Sequence, residues 1–193
     1  MPALEDAEFN GRCPKCLAGM VVDLSHPVTP FSPRPIKPSA NIIVVVDNVR
    51  SGYNVGAILR TSECLGVSQV YLCGITPDPS NSAVQKSAVG AQELLHIEAC
   101  NNTLLALEKL RQQNYQIWAL ELSNGAVEIN SLIEVPQKVV LVVGNERCGI
   151  DPAVIESSDK VVYIPMAGIK NSLNVEVSFG IALDQLRSKP VSG

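Results

Sequence analysis

The chain has 193 residues, of which 46% are apolar, and its formal net charge is −4. That length suits one compact domain plus an extension, and a core of roughly 150 residues folds without disulfide staples. The negative charge argues against a protein that coats nucleic acid non-specifically, although it is compatible with a local basic patch.

The sequence predicts a cytoplasmic protein with no membrane partner. No apolar run approaches the roughly 20 residues that span a bilayer. The segment from Met1 to Asn10 is acidic and lacks the basic and apolar regions of a signal peptide. In a reducing compartment, we expect the six cysteines to be mostly small buried hydrophobic residues rather than disulfide partners.

The first 40 residues differ from the rest of the chain. Five closely spaced prolines before residue 40 favour an extended, semi-rigid linker. Cys13 and Cys16 form a single Cys-x-x-Cys, but a zinc ribbon needs a second ligand pair, which the sequence lacks. A half-site completed by a second chain is one interpretation, and an incidental or redox-active pair is the favoured one. We expect residues 1–40 to be an N-terminal extension and residues 41–193 to be the functional domain.

From residue 41 onward, apolar runs typical of strands alternate with helical patterns. Strands are predicted at 42–47, 69–73, 94–98, 115–120, 138–143 and 160–164, and helices at 55–65, 82–92, 102–113, 152–157 and 174–187. The buried side of the helix at 102–113 is predicted to consist of Leu104, Leu105, Leu107 and Leu110. Strands that are apolar on both faces and alternate with helices predict an α/β fold, a mainly parallel sheet covered by helices on two sides.

Polar residues concentrate in three loops that follow predicted strands, where ligands bind in parallel sheets. In the first loop, Asn54 stands at a predicted N-cap, and Arg60 follows less than two turns into the helix, not far in angle from the loop. Arg60 is either a solvated surface charge or a group that holds a phosphate with its planar fork.

In the second loop, Gly144 and Gly149 flank Glu146 and Arg147. A glycine-rich turn after a buried strand suits close contact with a flat or charged ligand, whereas the alternative is a simple turn with an exposed Glu–Arg pair. The third loop spans residues 164–174, and its simplest interpretation is that Ser172 or Asn174 caps the last helix.

Several motifs of known chemistry are missing from the sequence. It has no phosphate-binding Gly-x-x-x-x-Gly-Lys-Ser/Thr, and the turn at 144–149 lacks the middle glycine of a dinucleotide fingerprint. It has two histidines and no acidic cluster at ligand spacing, so we expect no catalytic metal. No Gly-x-Ser-x-Gly supports a serine hydrolase.

Three segments of these loops stand out together. They are Asn54-Val55-Gly56-Ala57-Ile58-Leu59-Arg60-Thr61, Gly144-Asn145-Glu146-Arg147-Cys148-Gly149, and Ile164-Pro165-Met166 with Ser172-Leu173-Asn174-Val175. In order and spacing they resemble the three motifs of the SpoU family, which are RNA ribose 2′-O-methyltransferases of the SPOUT superfamily. The resemblance runs from about residue 41 to residue 186. Departures are modest: Ser51-Gly52-Tyr53 stands where the family often has an acidic residue and a proline, and Glu176 and Ser178-Phe179 replace small residues.

This resemblance implies a fold, a cofactor and an assembly. The C-terminal part of the parallel sheet would be threaded into a deep trefoil knot, a rare exception to unknotted topology. The knot would bind S-adenosylmethionine, and the chain would work as a homodimer with its active site near the subunit interface. The implied cofactor contacts are Leu120, Glu121, Gly144, Ile164 and Leu173. The implied polar active site consists of Asn54, Arg60, Glu146, Ser172 and Asn174.

The expected reaction is methyl transfer to a ribose 2′-OH of tRNA or rRNA, between which the sequence does not choose. That hydroxyl distinguishes RNA from DNA, so no DNA partner is expected. The family proposal makes Arg60 a base or activator. A guanidinium has a pKa above about 12 and only donates hydrogen bonds, so the more conservative role is to bind the adjacent phosphate and stabilise the developing alkoxide.

RNA contacts are expected from Arg50, Arg147 and Lys170 in the three loops, with Lys86 as a neighbour. Each cation alone would be an ordinary solvated charge, and their concentration in these loops favours RNA binding. Two other interpretations stay open. One is a catalytically idle RNA-binding or ribosome-assembly protein that retains the fold, and the other is a methyltransferase acting on a small molecule.

Overall fold

The structure, a computed structural model, describes residues 40–170 and 172–192. The predicted N-terminal extension, with Cys13 and Cys16, lies outside these residues apart from residue 40. Among the residues described, no helix is long and apolar enough to cross a membrane.

The described chain alternates strands and helices. Its strands are β1 (Asn41–Asp47), β2 (Gln69–Cys73), β3 (Ile97–Cys100), β4 (Gln116–Leu120), β5 (Val127–Glu128), β6 (Lys138–Val143) and β7 (Lys160–Tyr163). Its helices are α1 (Gly52–Cys64), α2 (Ser82–Ala88), α3 (Thr103–Gln112), α4 (Pro152–Ser157) and α5 (Val175–Ser188).

The seven strands form one sheet in the order β3-β2-β1-β6-β4-β7-β5, and adjacent strands are parallel. In the central strand β1, alternate side chains serve two separate cores. Val44 and Val46 pack with α1, α2 and α5, whereas Ile43 and Val45 pack with α3 and α4. Because helices cover both faces, β1 has to be apolar along its whole length. The predicted α/β fold with a mainly parallel sheet is confirmed.

The segment after β2 differs from its prediction. A helix was expected at 82–92, but α2 ends at Ala88, and Val89 and Gly90 both have positive φ, 51° and 87°. The strand expected at 94–98 begins at Ile97, because pairing with β2 sets its register, with Val70 opposite Ile97. Its position depends on the neighbouring strand, which local sequence does not reveal.

The segment at 121–134, predicted as loop and turn, contains the short edge strand β5. Val127 and Glu128 pair with Val162 and Tyr163 of β7, and a 3₁₀ turn follows at Ile129–Ser131. Two residues are too few to produce a period in the sequence.

The predicted buried side of α3 is half wrong. Leu107 and Leu110 are buried, but Leu104 and Leu105 are 40% and 62% exposed. The side facing the sheet has the spacing 103, 106, 107, 110, which a helix of 3.6 residues per turn places on one stripe. Thr103 and Ala106 complete it, so residue size misled the prediction.

The described cysteines are not uniformly buried. Cys73 is buried and Cys100 is partly buried, but Cys64 and Cys148 are exposed. The expectation that the cysteines are buried hydrophobic residues is wrong for the last two, because they end a helix and occupy a surface turn.

Candidate active site

A cavity of about 620 Å³ opens at the carboxyl ends of β4, β6 and β7. Its walls are the segments that follow these strands and the start of α5. The lining residues are 120–123, 143–150, 152, 155, 163, 164, 166, 172–175 and 178. The cavity therefore lies on the edge of the sheet where parallel α/β folds bind ligands.

All five predicted cofactor contacts line this cavity. They are Leu120, Glu121, Gly144, Ile164 and Leu173. They come from four segments that are far apart in the sequence, and the fold brings them together because three strand ends meet at one edge of the sheet.

The chemistry of the lining is mixed. Leu120, Ile164 and Leu173 provide apolar surface, while Glu121 and Glu146 provide two carboxylates. Within the described part of the chain, no group of three or more His, Cys, Asp or Glu side chains is arranged to hold a metal ion. Such a lining suits an organic ligand with an apolar part and a positive charge.

Two glycines let the turn after β6 close tightly against its neighbours. A Cβ on Gly144 would lie 2.5 Å from the backbone nitrogen of Ile150 and 2.6 Å from the carbonyl carbon of Gly149. Gly149 has a φ of +72°, and a Cβ there would collide with the carboxylate of Glu121. Side chains at either position would push the wall into the cavity or away from β4.

Asn145 holds this turn together, although it was not among the predicted site residues. Its backbone exchanges hydrogen bonds of 3.0 and 2.9 Å with Gly149. Its Oδ1 accepts from the amides of Arg147 and Cys148 at 2.9 and 3.1 Å, and its Nδ2 donates to the carbonyl of Asn48 at 2.7 Å. An Asn directly after a strand and a glycine is a recognisable turn signal that could have indicated this role.

Glu146 connects the second loop to the first. Its carboxylate accepts from the amides of Arg50 and Ser51 at 3.0 and 2.9 Å, and from Nδ2 of Asn54 at 3.0 Å. Burial acts to raise the pKa of Glu146, but these hydrogen bonds outweigh it, and the pKa is lowered from the ordinary value of 4.5. Both oxygens of a carboxylate that stays ionised are thus committed to the first loop.

Asn54 also connects the first loop to the third loop. Its Oδ1 accepts from Nδ2 of Asn174 at 3.0 Å, and Oδ1 of Asn174 accepts from the amides of Glu176 and Val177 at 2.9 and 3.3 Å. We call Asn54, Glu146 and Asn174 the three-loop network. The expected cap of the last helix is present in Asn174, and the same side chain joins the network.

The predicted N-cap at Asn54 is wrong. Helix α1 begins at Gly52, and its cap is Ser51, whose Oγ accepts from the amide of Asn54 at 3.3 Å. The loop is therefore three residues shorter than predicted. This shift moves Asn54 into the first turn, where its side chain reaches the other two loops.

Arg60 and Ser172, the other two predicted active-site residues, lie outside the network. Ser172 lines the cavity. Arg60 is exposed on α1 and does not line it, because on a helix it lies about 9 Å along the axis and about 120° round from Asn54. Within the described chain, no carboxylate lies within ion-pair distance of Arg60. The expectation that its side chain stays close in angle to the loop is wrong for a single chain.

Among the predicted RNA contacts, only Arg147 lines the cavity. Arg50 and Lys170 are exposed in the first and third loops. Lys86 is exposed on α2, which packs on α1 through Val84 and Ala88 rather than facing the cavity. The structure thus brings one predicted cation to the cavity and does not place Lys86 there.

The model of the SpoU rRNA Methylase family matches residues 41–184, which include every segment of this site. The chain belongs to this family.

Three proteins that are similar to this chain share part of their length with it. A tRNA (guanosine(18)-2′-O)-methyltransferase of Aquifex aeolicus is 34% identical over 148 residues, which are 76% of this chain and 69% of the relative. A 23S rRNA (guanosine(2553)-2′-O)-methyltransferase of Bacillus subtilis is 32% identical over 77% of this chain and 59% of its own. An AdoMet-bound rRNA methyltransferase from Sinorhizobium meliloti superposes with a TM-score of 0.71, at 30% identity, over 78% of this chain and 57% of that one. The chain therefore spans 57% to 69% of the length of these three proteins.

Proposed function

We propose that the chain is an RNA methyltransferase that transfers a methyl group from S-adenosylmethionine to a ribose 2′-OH of tRNA or rRNA. Membership of the SpoU family supports this, as do the names of its tRNA- and rRNA-methylating relatives. The observation that carries the proposal is that the second and third family segments line one cavity, while the hydrogen bonds of the three-loop network join the first segment to both of them.

The cavity fits the proposed cofactor in size and chemistry. Its volume of about 620 Å³ lies within the range of small-molecule sites. Leu120, Ile164 and Leu173 would hold the apolar part, and the tight turn at Gly144 would offer backbone groups at close range. S-adenosylmethionine supplies an activated methyl group on a positively charged sulfur, which suits a cavity with two carboxylates in its lining.

The proposed roles of the polar residues follow from their contacts. Glu146 and Asn54 would act as positioning residues, because their side chains are already occupied by protein donors and acceptors. Asn174 would do the same while it caps α5. Ser172, at the cavity wall, is left as the predicted side chain that can meet the ribose there.

Arg60 would bind the phosphate next to the target ribose and stabilise the alkoxide as the 2′-OH loses its proton. A guanidinium does this as a donor, without having to accept a proton. Its exposed position supports contact with a bound partner rather than with the chain's own cavity.

We infer that the chain works as a homodimer in which Arg60 and the cavity belong to different subunits. The surface where α1 meets α5 supports this: Thr61 donates to Glu176 there at 3.2 Å, and Val177 and Ile181 are 45% and 40% exposed. Apolar side chains grouped beside a charged group needed for the reaction are typical of a subunit interface.

The remaining family expectations are also part of the proposal. Residues 41–193 would form the methyltransferase domain, with a deep trefoil knot around the segment between β7 and α5, and residues 1–40 would be an extension. A cytoplasmic location is consistent with an RNA substrate.

The proposal is tested by titrating the full chain with S-adenosylmethionine in a calorimeter and then measuring transfer of a radiolabelled methyl group to total RNA. Digestion to nucleosides should place the label on 2′-O-methylated ribose. Cofactor binding with no transfer to any RNA would favour the idle RNA-binding alternative, and transfer to a small molecule would contradict the RNA substrate. Fractionating labelled RNA by size would separate tRNA from rRNA.

A further inference from the structure

Asp47 is a fully buried carboxylate that the three motif segments do not explain. It ends β1 and is 1% exposed. Within the described residues no cation lies within ion-pair distance of it. Burying a carboxylate is costly unless hydrogen bonds satisfy it, so its contacts indicate what it does.

The three donors to Asp47 come from different parts of the fold. Its Oδ1 accepts from Oγ1 of Thr103 at 2.5 Å and from Nδ2 of Asn48 at 2.9 Å. Its Oδ2 accepts from the amide of Asp151 at 3.3 Å. Asp151 in turn caps α4, since its Oδ1 accepts from the amide of Ala153 at 2.8 Å.

Glu121 makes the corresponding contact from the other side. It follows β4, and its Oε2 accepts from the amide of Ile150 at 3.1 Å, while its Oε1 accepts from the amide of Leu122 at 2.9 Å. In the sheet, β6 lies between β1 and β4. Two carboxylates from the flanking strands therefore hold two consecutive amides, Ile150 and Asp151, at the end of the turn that follows β6.

The amide of Ile150 belongs to the cavity wall, and the amide of Asp151 lies between two lining residues. The turn from Gly144 to Ile150 lines the cavity, and so do Pro152 and Ile155 just beyond Asp151. If either carboxylate lost its bond, the wall and the start of α4 would be free to shift against β4. Gly149 has no Cβ that would keep the turn away from Glu121.

We propose that Asp47 and Glu121 are positioning residues that fix the wall of the cofactor cavity by holding the amides of Ile150 and Asp151 from both sides. The inference rests on the proposed function, since it concerns affinity for S-adenosylmethionine. It assigns a role to Asp47, and it gives Glu121 a role through the backbone in addition to its place in the lining.

The test uses Asp47→Asn and Glu121→Gln in the full chain. Each change keeps the size of the side chain and replaces one acceptor oxygen by an NH₂ donor. A donor then faces a donor, the backbone N–H, and one hydrogen bond is lost. Each variant is expected to bind S-adenosylmethionine about tenfold more weakly. In the methyl-transfer assay, KM for S-adenosylmethionine should rise by a similar factor, while kcat at saturation stays within about twofold.

The matched control is Asp159→Asn. Oδ2 of Asp159 also accepts a backbone amide, that of Ile117, at 2.7 Å, but near the amino end of β4, opposite the cavity. It should lose stability and keep its affinity for S-adenosylmethionine within about twofold. If Asp47 and Glu121 had a merely structural role, affinity for S-adenosylmethionine would instead fall with the loss of stability in all three variants.

Wild-type affinity in Asp47→Asn and Glu121→Gln would overturn the inference. If Asp47→Asn does not fold, hydrogen exchange at Ile150 in Glu121→Gln decides, because the loss of a carboxylate from the lining also weakens binding of a positively charged ligand. Amide hydrogen exchange at Ile150 and Asp151, measured without ligand, should accelerate in both variants, and unchanged exchange would also overturn the inference. A wild-type chain that does not bind S-adenosylmethionine would contradict the proposed function. Hydrogen exchange at Ile150 and Asp151 would then still show whether Asp47 and Glu121 hold these two amides.

Discussion

In the three-loop network every polar side chain bonds to another part of the chain, whereas on the outer face of α1 the guanidinium of Arg60 stays exposed. The first motif contributes a residue to each region, since Asn54 and Arg60 are six residues apart. A side chain whose donors and acceptors are occupied can orient the loops but has little left to offer a substrate. A charged group that is left exposed can meet a substrate or a second subunit. The difference separates residues that shape the site from residues that act at it.

Changing Arg60 to Ala should have the largest effect on methyl transfer. Without such an effect, Arg60 could not be distinguished from the residues that only shape the site. Losing a donor that stabilises developing negative charge costs about 10²–10³ in rate, so methyl transfer should fall by that factor. The stability of the fold should not change, because Arg60 is exposed on α1. Affinity for S-adenosylmethionine should not change either, because the proposed partner of Arg60 is an RNA phosphate rather than the cofactor. Radiolabel transfer, calorimetry and thermal unfolding measure the three quantities.

Arg60→Lys is the matched control for charge. It keeps the cation but loses the planar fork that holds a phosphate in two places, so it should recover only part of the activity. Full activity in Arg60→Ala on a confirmed RNA substrate would remove Arg60 from the mechanism.

Within the network, Asn174→Asp should separate the helix cap from the connection between loops. Asp keeps the oxygen that accepts from Glu176 and Val177 and suits a helix N-terminus, so stability should hardly change. It loses the Nδ2 donor to Asn54 and places a carboxylate against Oδ1 of Asn54. Methyl transfer should therefore fall about tenfold, for the loss of one hydrogen bond with repulsion left behind.

Asn174→Ala removes both functions and should also cost about 1 kcal/mol of stability. Chemical unfolding of the two variants beside the wild-type chain tests this. Equal loss of stability in both would mean that Asn174 acts only through the network.

Much of the fold could be predicted because each central strand is apolar on both faces. Val44 and Ile43 point to opposite cores, and a run of this kind requires helices on two sides. The errors occur where a neighbour decides the structure. β3 takes its register from β2, and Leu104 and Leu105 stay exposed because the period of α3 is set by Ala106 and Leu110.

The site shows the same division. Gly144 and Ile164 could be predicted as lining residues because motif residues at strand ends meet at one edge. The hydrogen bonds between motif residues could not be predicted. Asn54 bonds to Glu146, which is 92 residues away in the sequence, and to Asn174, which is 120 residues away. Asp47 was missed because a lone acidic residue ending a strand carries no signal of burial.

Glu146 should make the stability of the network depend on pH. Its folded pKa is lowered below the ordinary value of 4.5, with burial opposing the amide hydrogen bonds that lower it. A lowered pKa means that Glu146 stabilises the fold fully above about pH 4.5 and loses this contribution as the pH falls through the folded value. Urea unfolding at several pH values, with Glu146→Gln as comparison, measures it.

At pH 7 we expect Glu146→Gln to be about 1 kcal/mol less stable, a modest value because the side chain is partly exposed. The difference in the free energy of unfolding between wild type and Glu146→Gln should shrink below pH 4.5. Glu134→Gln, at another exposed glutamate, should show no such difference. If the difference in stability stayed constant down to about pH 3, the charge of the carboxylate would not be what the first loop needs.

The smallest effect is expected at Arg147, which is exposed like Arg60 yet lines the cavity like Glu146. If it contacts one phosphate of a bound RNA, Arg147→Ala should lower the slope of log affinity against log salt by about one. Between 50 and 200 mM salt, a change of one in that slope corresponds to about a fourfold difference in affinity, which filter binding resolves. Asn145 fixes the backbone amide of Arg147, so the side chain leaves a turn of defined shape. If the slope of log affinity against log salt did not change, Arg147 would not contact RNA. It would then belong, like the three-loop network, to the residues that shape the cavity, and not, like Arg60, to those that meet the substrate.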